Sequence, residues 1–278
     1  MKEKYVESIK DYEKLCNICI QLSINTHKRK VNSWREEYGS YIFAKIATHS
    51  IAILKLLPYS PLFELPKNFK VWDISSLAVL VRALIETYNV FYYLIMDEID
   101  DIELDFRFIV WHLHSESERL RMLKSIGSIN PAIKEIEKSI EVHKAKLLIN
   151  SFYNSLASDE RTKYRKGEVG ISLTNLQISE RAGISRNYYR STYKFLSSYT
   201  HTFPFSIQQV SVFKADDEES LSLIKGQADT ASGYLSYAIR DFVKLFPDQE
   251  INITGVKSTI NIWLDVLNKI ANDSQIAN

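Results

Sequence analysis

Glycine and proline are scarce, with 8 Gly and 6 Pro in 278 residues. That is far below average usage and leaves the chain few places to turn, so long helices are the expected element. Cysteine is scarcer still. Cys16 and Cys19 are the only two, which excludes a disulfide framework and points to a reducing, cytoplasmic compartment. Neither sign of charge dominates: 35 Lys and Arg stand against 34 Asp and Glu. The whole-molecule field therefore gives no pull toward nucleic acid or an anionic membrane, and any RNA contact has to be a local patch. The N-terminal residues lack the uninterrupted apolar core of a signal peptide, so export is not indicated. The one long hydrophobic run, residues 75–96, carries Arg82 and Glu86 near its middle. Each charge would cost roughly 2.5 to 3.5 kcal/mol in a bilayer, so the run reads as a buried core helix and no membrane partner is expected.

The phosphate-cradling loops are missing as well. No G-x-x-x-x-G-K-[ST] and no G-x-G-x-x-G occurs, which argues against nucleotide-dependent enzymes of those types. No His has a Glu three residues before it, so the Glu-x-x-His pairs of di-iron bundles cannot form. Cys16 and Cys19 make a single C-x-x-C without the second pair of a structural zinc site, and on an apolar helix they read as buried, inert thiols. No metal and no cofactor is expected.

What is present is apolar periodicity of three and four through most of the chain, the mark of helices. The spacing predicts helices over about 3–24, 36–57, 73–96, 104–126, 132–156, 175–182, 185–200, 218–246 and 254–271, with Asp73 capping the third. Residues 158–172 read as a polar surface loop. Residues 205–213, FSIQQVSVF, fit an extended strand or a helix extension equally, and the tail 272–278 is expected to fray. The fold class is all-α, a single-domain bundle over 1–278 of about seven to nine helices, with the third as its most buried member.

Chemistry-bearing residues interrupt the apolar faces in pairs one turn apart: Lys45 with His49, Arg82 with Glu86, and Tyr193 with Ser197 and His201. Residues i and i+4 share a helix face, so each set projects in one direction. Burying an unpaired cation costs several kcal/mol, so these groups need partners or a cleft. The expectation is that His49, Arg82, Glu86 and His201 converge. Two readings stand at this point. In one, the groups form a structural network, with Arg82 neutralised by Glu86 and His201 bonded by Ser197. In the other they line a functional site. There His201 is the acid–base group, as histidine titrates near neutral pH. Arg82 grips a phosphate or carboxylate with Glu86 orienting it. Lys45, His49, Tyr193, Ser197 and Arg190 contact the substrate.

A separate stretch, Arg107 to His114, places His112 and His114 at Arg-x4-His and Arg-x6-His spacings. HEPN-type ribonucleases use such a spacing. Here Phe108 follows the Arg where those motifs usually carry a polar residue, and the two His point about 200° apart. The plainer reading pairs His112 with Glu116 and His114 with Glu118 as surface bonds.

The run from Asp73 through Arg82 and Glu86, followed by ISERAGI and by Tyr193-KFLSSYT-His201, resembles an uncharacterised bacterial helical family, the domain of unknown function 5677, over roughly residues 40–245. Its R-x-x-x-E helix and Y-x-x-L-S-x-x-x-H helix are both present. The nearest Arg before His201 is Arg190, so HEPN spacing is absent from this helix. The resemblance implies a HEPN-like helical protein acting on RNA, a metal-independent endoribonuclease of phage defence or a toxin system, working as a homodimer. The alternative is a non-enzymatic sensor or scaffold with a protein or small-ligand partner. The aromatic residues Tyr88, Phe91, Tyr92 and Tyr93 are the expected dimer face.

Overall fold

A computed structural model describes residues 1–64 and 72–273; side chains are described through residue 268. The expectation of a frayed tail lies outside the described residues from 274 on. Within the described residues the chain is all-α, without a strand. It holds twelve α-helices, not seven to nine: α1 Lys2–Thr26, α2 Trp34–Leu56, α3 Ile74–Phe91, α4 Asp101–Ser125, α5 Ala132–Ile149, α6 Ser151–Ser155, α7 Ser158–Arg165, α8 Asn175–Arg181, α9 Arg186–Thr200, α10 Pro204–Val212, α11 Glu218–Leu245 and α12 Lys257–Asp273. A π-helical turn, Tyr92–Met96, extends α3, and a 3₁₀ segment, Pro247–Val256, precedes α12.

The extra helices have local causes. The helix expected over 132–156 breaks at Asn150, whose backbone is extended and whose side chain accepts from the Tyr153 N–H, starting α6. The expected loop contains α7. Its first turn carries Asp159 and Glu160 and its last Lys163 and Arg165, a distribution that complements the helix dipole, and Tyr164 anchors it by burial. Residues 204–212 are helical, not extended, with Pro204 at the first turn, where its missing N–H costs nothing.

The described residues form two compact units, Met1–Met96 with residues from Asn175 on, and Asp97–Thr174. In the first, α3 packs against α2, α9 and α11, and α1 against α2 and α11. The most buried helix is α11 rather than α3: 18 of its 28 residues are buried, against 10 of 18 in α3. Its small residues, Ala228, Ala231, Ser232, Gly233, Ser236 and Ala238, let neighbours approach on several sides. The stretch Ile74–Met96 is long and apolar enough to cross a membrane by length and composition, and more than half of its apolar window is buried inside the fold.

Tyr88, Phe91 and Tyr93 are buried to within 1% of full burial. They are core residues, which corrects their assignment to a dimer face. Tyr88 meets Tyr234 and Tyr237 edge-on and donates its hydroxyl to Asp241 Oδ2 at 2.9 Å. Cys16 and Cys19 are free and buried, and burial raises both thiols.

The second unit, α4–α7, has its own core of Phe106, Val110, Leu113, Ile136, Ile140, Leu147, Tyr153 and Tyr164. Arg107 is fully buried there and pairs with Asp97 at 2.8 Å and Glu103 at 2.6 Å. His112 stacks on His143 with centroids 5.5 Å apart, and His114 Nδ1 lies 2.9 Å from the Gly167 carbonyl. The expected His112–Glu116 and His114–Glu118 bonds are replaced by these contacts, and Glu118 pairs with Arg121 instead.

Candidate functional site

The site is built by α3 and α9, which pack side by side in the first unit. Asp73 caps α3, accepting from the Ser76 N–H at 2.8 Å, and two turns later Arg82 and Glu86 leave the helix on the same side. Ser185 caps α9, accepting from the Tyr188 N–H, and the spacing of four aligns Tyr189, Tyr193, Ser197 and His201 along one face.

Arg82 is the hub. Its Nε donates to Glu86 Oε1 at 2.9 Å, its Nη2 to the Tyr193 hydroxyl at 2.8 Å, and its Nη1 lies 3.1 Å from His201 Nε2. The Tyr193 hydroxyl donates in turn to Glu86 Oε1 at 2.7 Å, and its ring lies 4.7 Å from the guanidinium carbon. A guanidinium has no acceptor, so a hydrogen bond at this contact uses the His201 Nε2 lone pair, in the tautomer that carries its proton on Nδ1. Burial alone lowers the Arg82 guanidinium, but Glu86 and Tyr193 outweigh it and raise it. Burial, then the bond to Glu86, pushes the Tyr193 phenol up.

The cluster is open to water on one side. His201 is exposed, the Glu86 side chain is 40% exposed and Arg82 19%. This is a shallow polar face rather than a sealed network. The turn that presents His201 is strained: α9 ends with the Phe203 N–H on the Ser198 carbonyl and the Thr202 N–H on the Tyr199 carbonyl, a Schellman closure. Its left-handed position, normally glycine, holds the β-branched Thr202 at φ 54°. Such strain costs on the order of 1 to 3 kcal/mol and concentrates at functional sites. Phe203, next in the chain, lies 5.6 Å from the His201 ring and is half exposed.

Not every expected residue joins. Ser197 donates its hydroxyl to the Tyr193 carbonyl at 2.6 Å rather than to His201, which reaches Ser197 only through the backbone. Lys45 is exposed on α2, and no described hydrogen bond or ion pair links it or His49 to Arg82 or His201. His49 is half-buried with Nε2 unpartnered, and burial followed by the charge of Lys45 lowers its pKa. Arg190 is exposed on α9 beside Tyr193, while Arg186 is taken by Glu180 at 2.8 Å. One participant escaped the sequence reading. Tyr189 stacks on Tyr193 at 5.3 Å, is 4% exposed, and its hydroxyl has no partner among the described residues. The same spacing of four that picked Tyr193 and His201 reaches it.

Chemically, the cluster offers one fixed cation, one carboxylate that orients it, and one accessible imidazole within hydrogen-bond reach of the cation. Among the described residues no three His, Cys, Asp or Glu side chains gather as a metal-binding group. Comparison with curated proteins and with solved structures gives no match. A family model described as a family of unknown function (DUF5677) matches residues 36–220, a span that contains every residue of this cluster, and the chain belongs to that family.

Proposed function

We propose that the Arg82–His201 face binds a phosphate of RNA and that the protein is a metal-independent endoribonuclease, HEPN-like in its chemistry and suited to phage defence or a toxin system. The observation that carries this reading is the 3.1 Å approach of Arg82 Nη1 to His201 Nε2 at a solvent-open position. A phosphate oxygen drawing Nη1 to itself releases the Nε2 lone pair beside the same phosphate. His201 then takes the proton of the adjacent ribose 2′-OH as that oxygen attacks phosphorus, and the bond from phosphorus to the 5′-oxygen breaks to leave a 2′,3′-cyclic phosphate. The 5′-oxygen leaves as a hydroxyl with a proton from an acid, and Arg82 neutralises the charge that builds on the phosphoryl oxygens. Glu86 and Tyr193 hold the guanidinium plane. Arg190 and Lys194, both exposed on α9, supply further backbone contacts of the kind that give salt-dependent binding.

A second reading has its own support: Arg82, Glu86, Tyr193 and His201 already satisfy one another, as a sensor or scaffold requires. One experiment separates the two. Single-stranded RNA is incubated with wild type and with His201→Ala, prepared in parallel, in EDTA, and the 3′ ends are mapped. The ribonuclease reading expects 2′,3′-cyclic phosphate ends and a loss of roughly 10² to 10⁴-fold in the variant. Equal cleavage by both proteins, or none by either, overturns it.

A further inference from the structure

A cavity of about 480 Å³ lies between α11, the 3₁₀ segment and α12, outside the residues that match the family and separate from the Arg82–His201 face. Its floor is apolar: Val243, Pro247, Ile253, Ile260 and Leu264. Three cations stand around it, Arg240, Lys244 and Lys257, with Glu250 the one carboxylate of its lining.

The charges do not cancel at the opening. Asp241 offsets Arg240, accepting from its Nε at 2.8 Å and its Nη2 at 3.0 Å. However, Asp241 is 1% exposed and also holds the Tyr88 hydroxyl, so its charge is spent inside the fold. Arg240 is fixed over the Tyr237 ring at 4.5 Å, with Nη1 in no described hydrogen bond. Lys244 keeps only a 3.6 Å contact to Asp241 and is 62% exposed. Lys257 pairs with Glu250 at 2.7 Å, both side chains about half exposed or more. A water-facing pair of that kind contributes little and opens readily. An apolar hollow of this volume with a few convergent polar groups has the make-up of a small-molecule site.

We propose that this cavity binds a medium-chain fatty carboxylate, the acyl chain on the apolar floor and the carboxylate at Arg240 Nη1 and Lys244. A cationic or neutral head group gains nothing from that mouth, and a short acid leaves the floor empty.

The test is calorimetric titration of the full chain with laurate, decanoate, acetate and dodecyltrimethylammonium, all below their micelle concentrations. Laurate binds at one site and on the order of tenfold more tightly than decanoate, from roughly 0.8 kcal/mol per buried methylene. Acetate gives no heat, and the cationic amphiphile binds at least tenfold more weakly than laurate. Lys244→Gln weakens laurate binding several-fold with little change in melting temperature, and Leu264→Trp, at the partly exposed edge of the floor, abolishes it. No binding of laurate, equal binding of the cationic amphiphile, or full binding by both variants overturns the proposal.

Discussion

Arg107 provides the sharpest test of how the fold uses charge. Its side chain has no exposed surface and is clamped by Asp97, itself 6% exposed, and by Glu103 at 19%. Three of its N–H groups are committed: Nη1 to Asp97, Nε and Nη2 to Glu103. Replacing it with Met keeps most of the stem that packs against the core but removes the buried cation that the Asp97 and Glu103 carboxylates face. Breaking such a pair from one side costs about 3 to 5 kcal/mol, whereas removing both partners is often close to neutral. Arg107→Met is therefore expected to lower unfolding free energy by about 3 kcal/mol or more in urea denaturation, and Arg107→Met with Asp97→Asn to recover a substantial part of it. The Arg-x4-His spacing makes the opposite forecast, a variant that folds normally and loses a reaction. A single variant within about 1 kcal/mol of wild type, or a double variant no more stable than the single, refutes the buried-charge reasoning.

Two further outcomes follow from other elements. Burial, then His143 and Lys146, lowers His112 to about 4, below the roughly 6.5 of an unfolded histidine. The unfolded state therefore binds the proton first, and stability is lost as pH falls through that interval. Between pH 7 and 5 the loss has a ceiling of about 2 kcal/mol and is about 1 kcal/mol after solvent screening of this partly exposed ring. His112→Phe should flatten that part of the urea-unfolding pH profile; an identical profile in the variant speaks against it. Thr202→Gly relieves the left-handed strain at the end of α9 and should stabilise the protein by about 1 kcal/mol, a rise of roughly 2 to 4 °C in melting temperature. A lower melting temperature shows that the turn is not strained.

Helices were legible because period and caps are local. Asp73 and Ser185 mark the starts of α3 and α9, and Gly183, at φ 87°, lies just past α8. The break at Asn150 was not legible, because the apolar stripe runs on to Leu156 and a single Asn inside it is a weak capping signal, and α7 was read as loop because its residues are polar apart from Tyr164. Aromatic faces misled as well. Periodicity puts Tyr88, Phe91 and Tyr92 toward one side of the helix, but packing against α2 and α11 decides that Tyr88 and Phe91 are interior. The core of the candidate site was readable from i, i+4 spacing on two helices, which fixes Arg82 beside Glu86 and Tyr193 in line with His201. Pairing between helices has no sequence signature of that kind. That is why Lys45 and His49, with the same spacing on α2, seemed to belong to the cluster, and why Tyr189 did not.

Under the ribonuclease reading the number of proton carriers is a constraint. Cleavage by 2′-OH attack needs one group to take that proton and another to deliver one to the departing 5′-oxygen. The cluster has a single imidazole. The Tyr193 proton is already donated to Glu86 at 2.7 Å, and burial with that bond raises its pKa, which makes it a weak acid. The reading therefore requires a second copy that brings its own His201, a homodimer whose active unit contains two imidazoles. Subunit mixing tests this directly. Wild type and His201→Ala are unfolded together at equal concentrations, refolded and assayed. If both imidazoles are needed, mixed dimers are inactive and activity per total protein falls to about a quarter of wild type, as random pairing of two subunits dictates. If each chain acts alone, activity falls only to about half. The second outcome removes the requirement for a paired site and leaves one His201 to carry both proton transfers in turn.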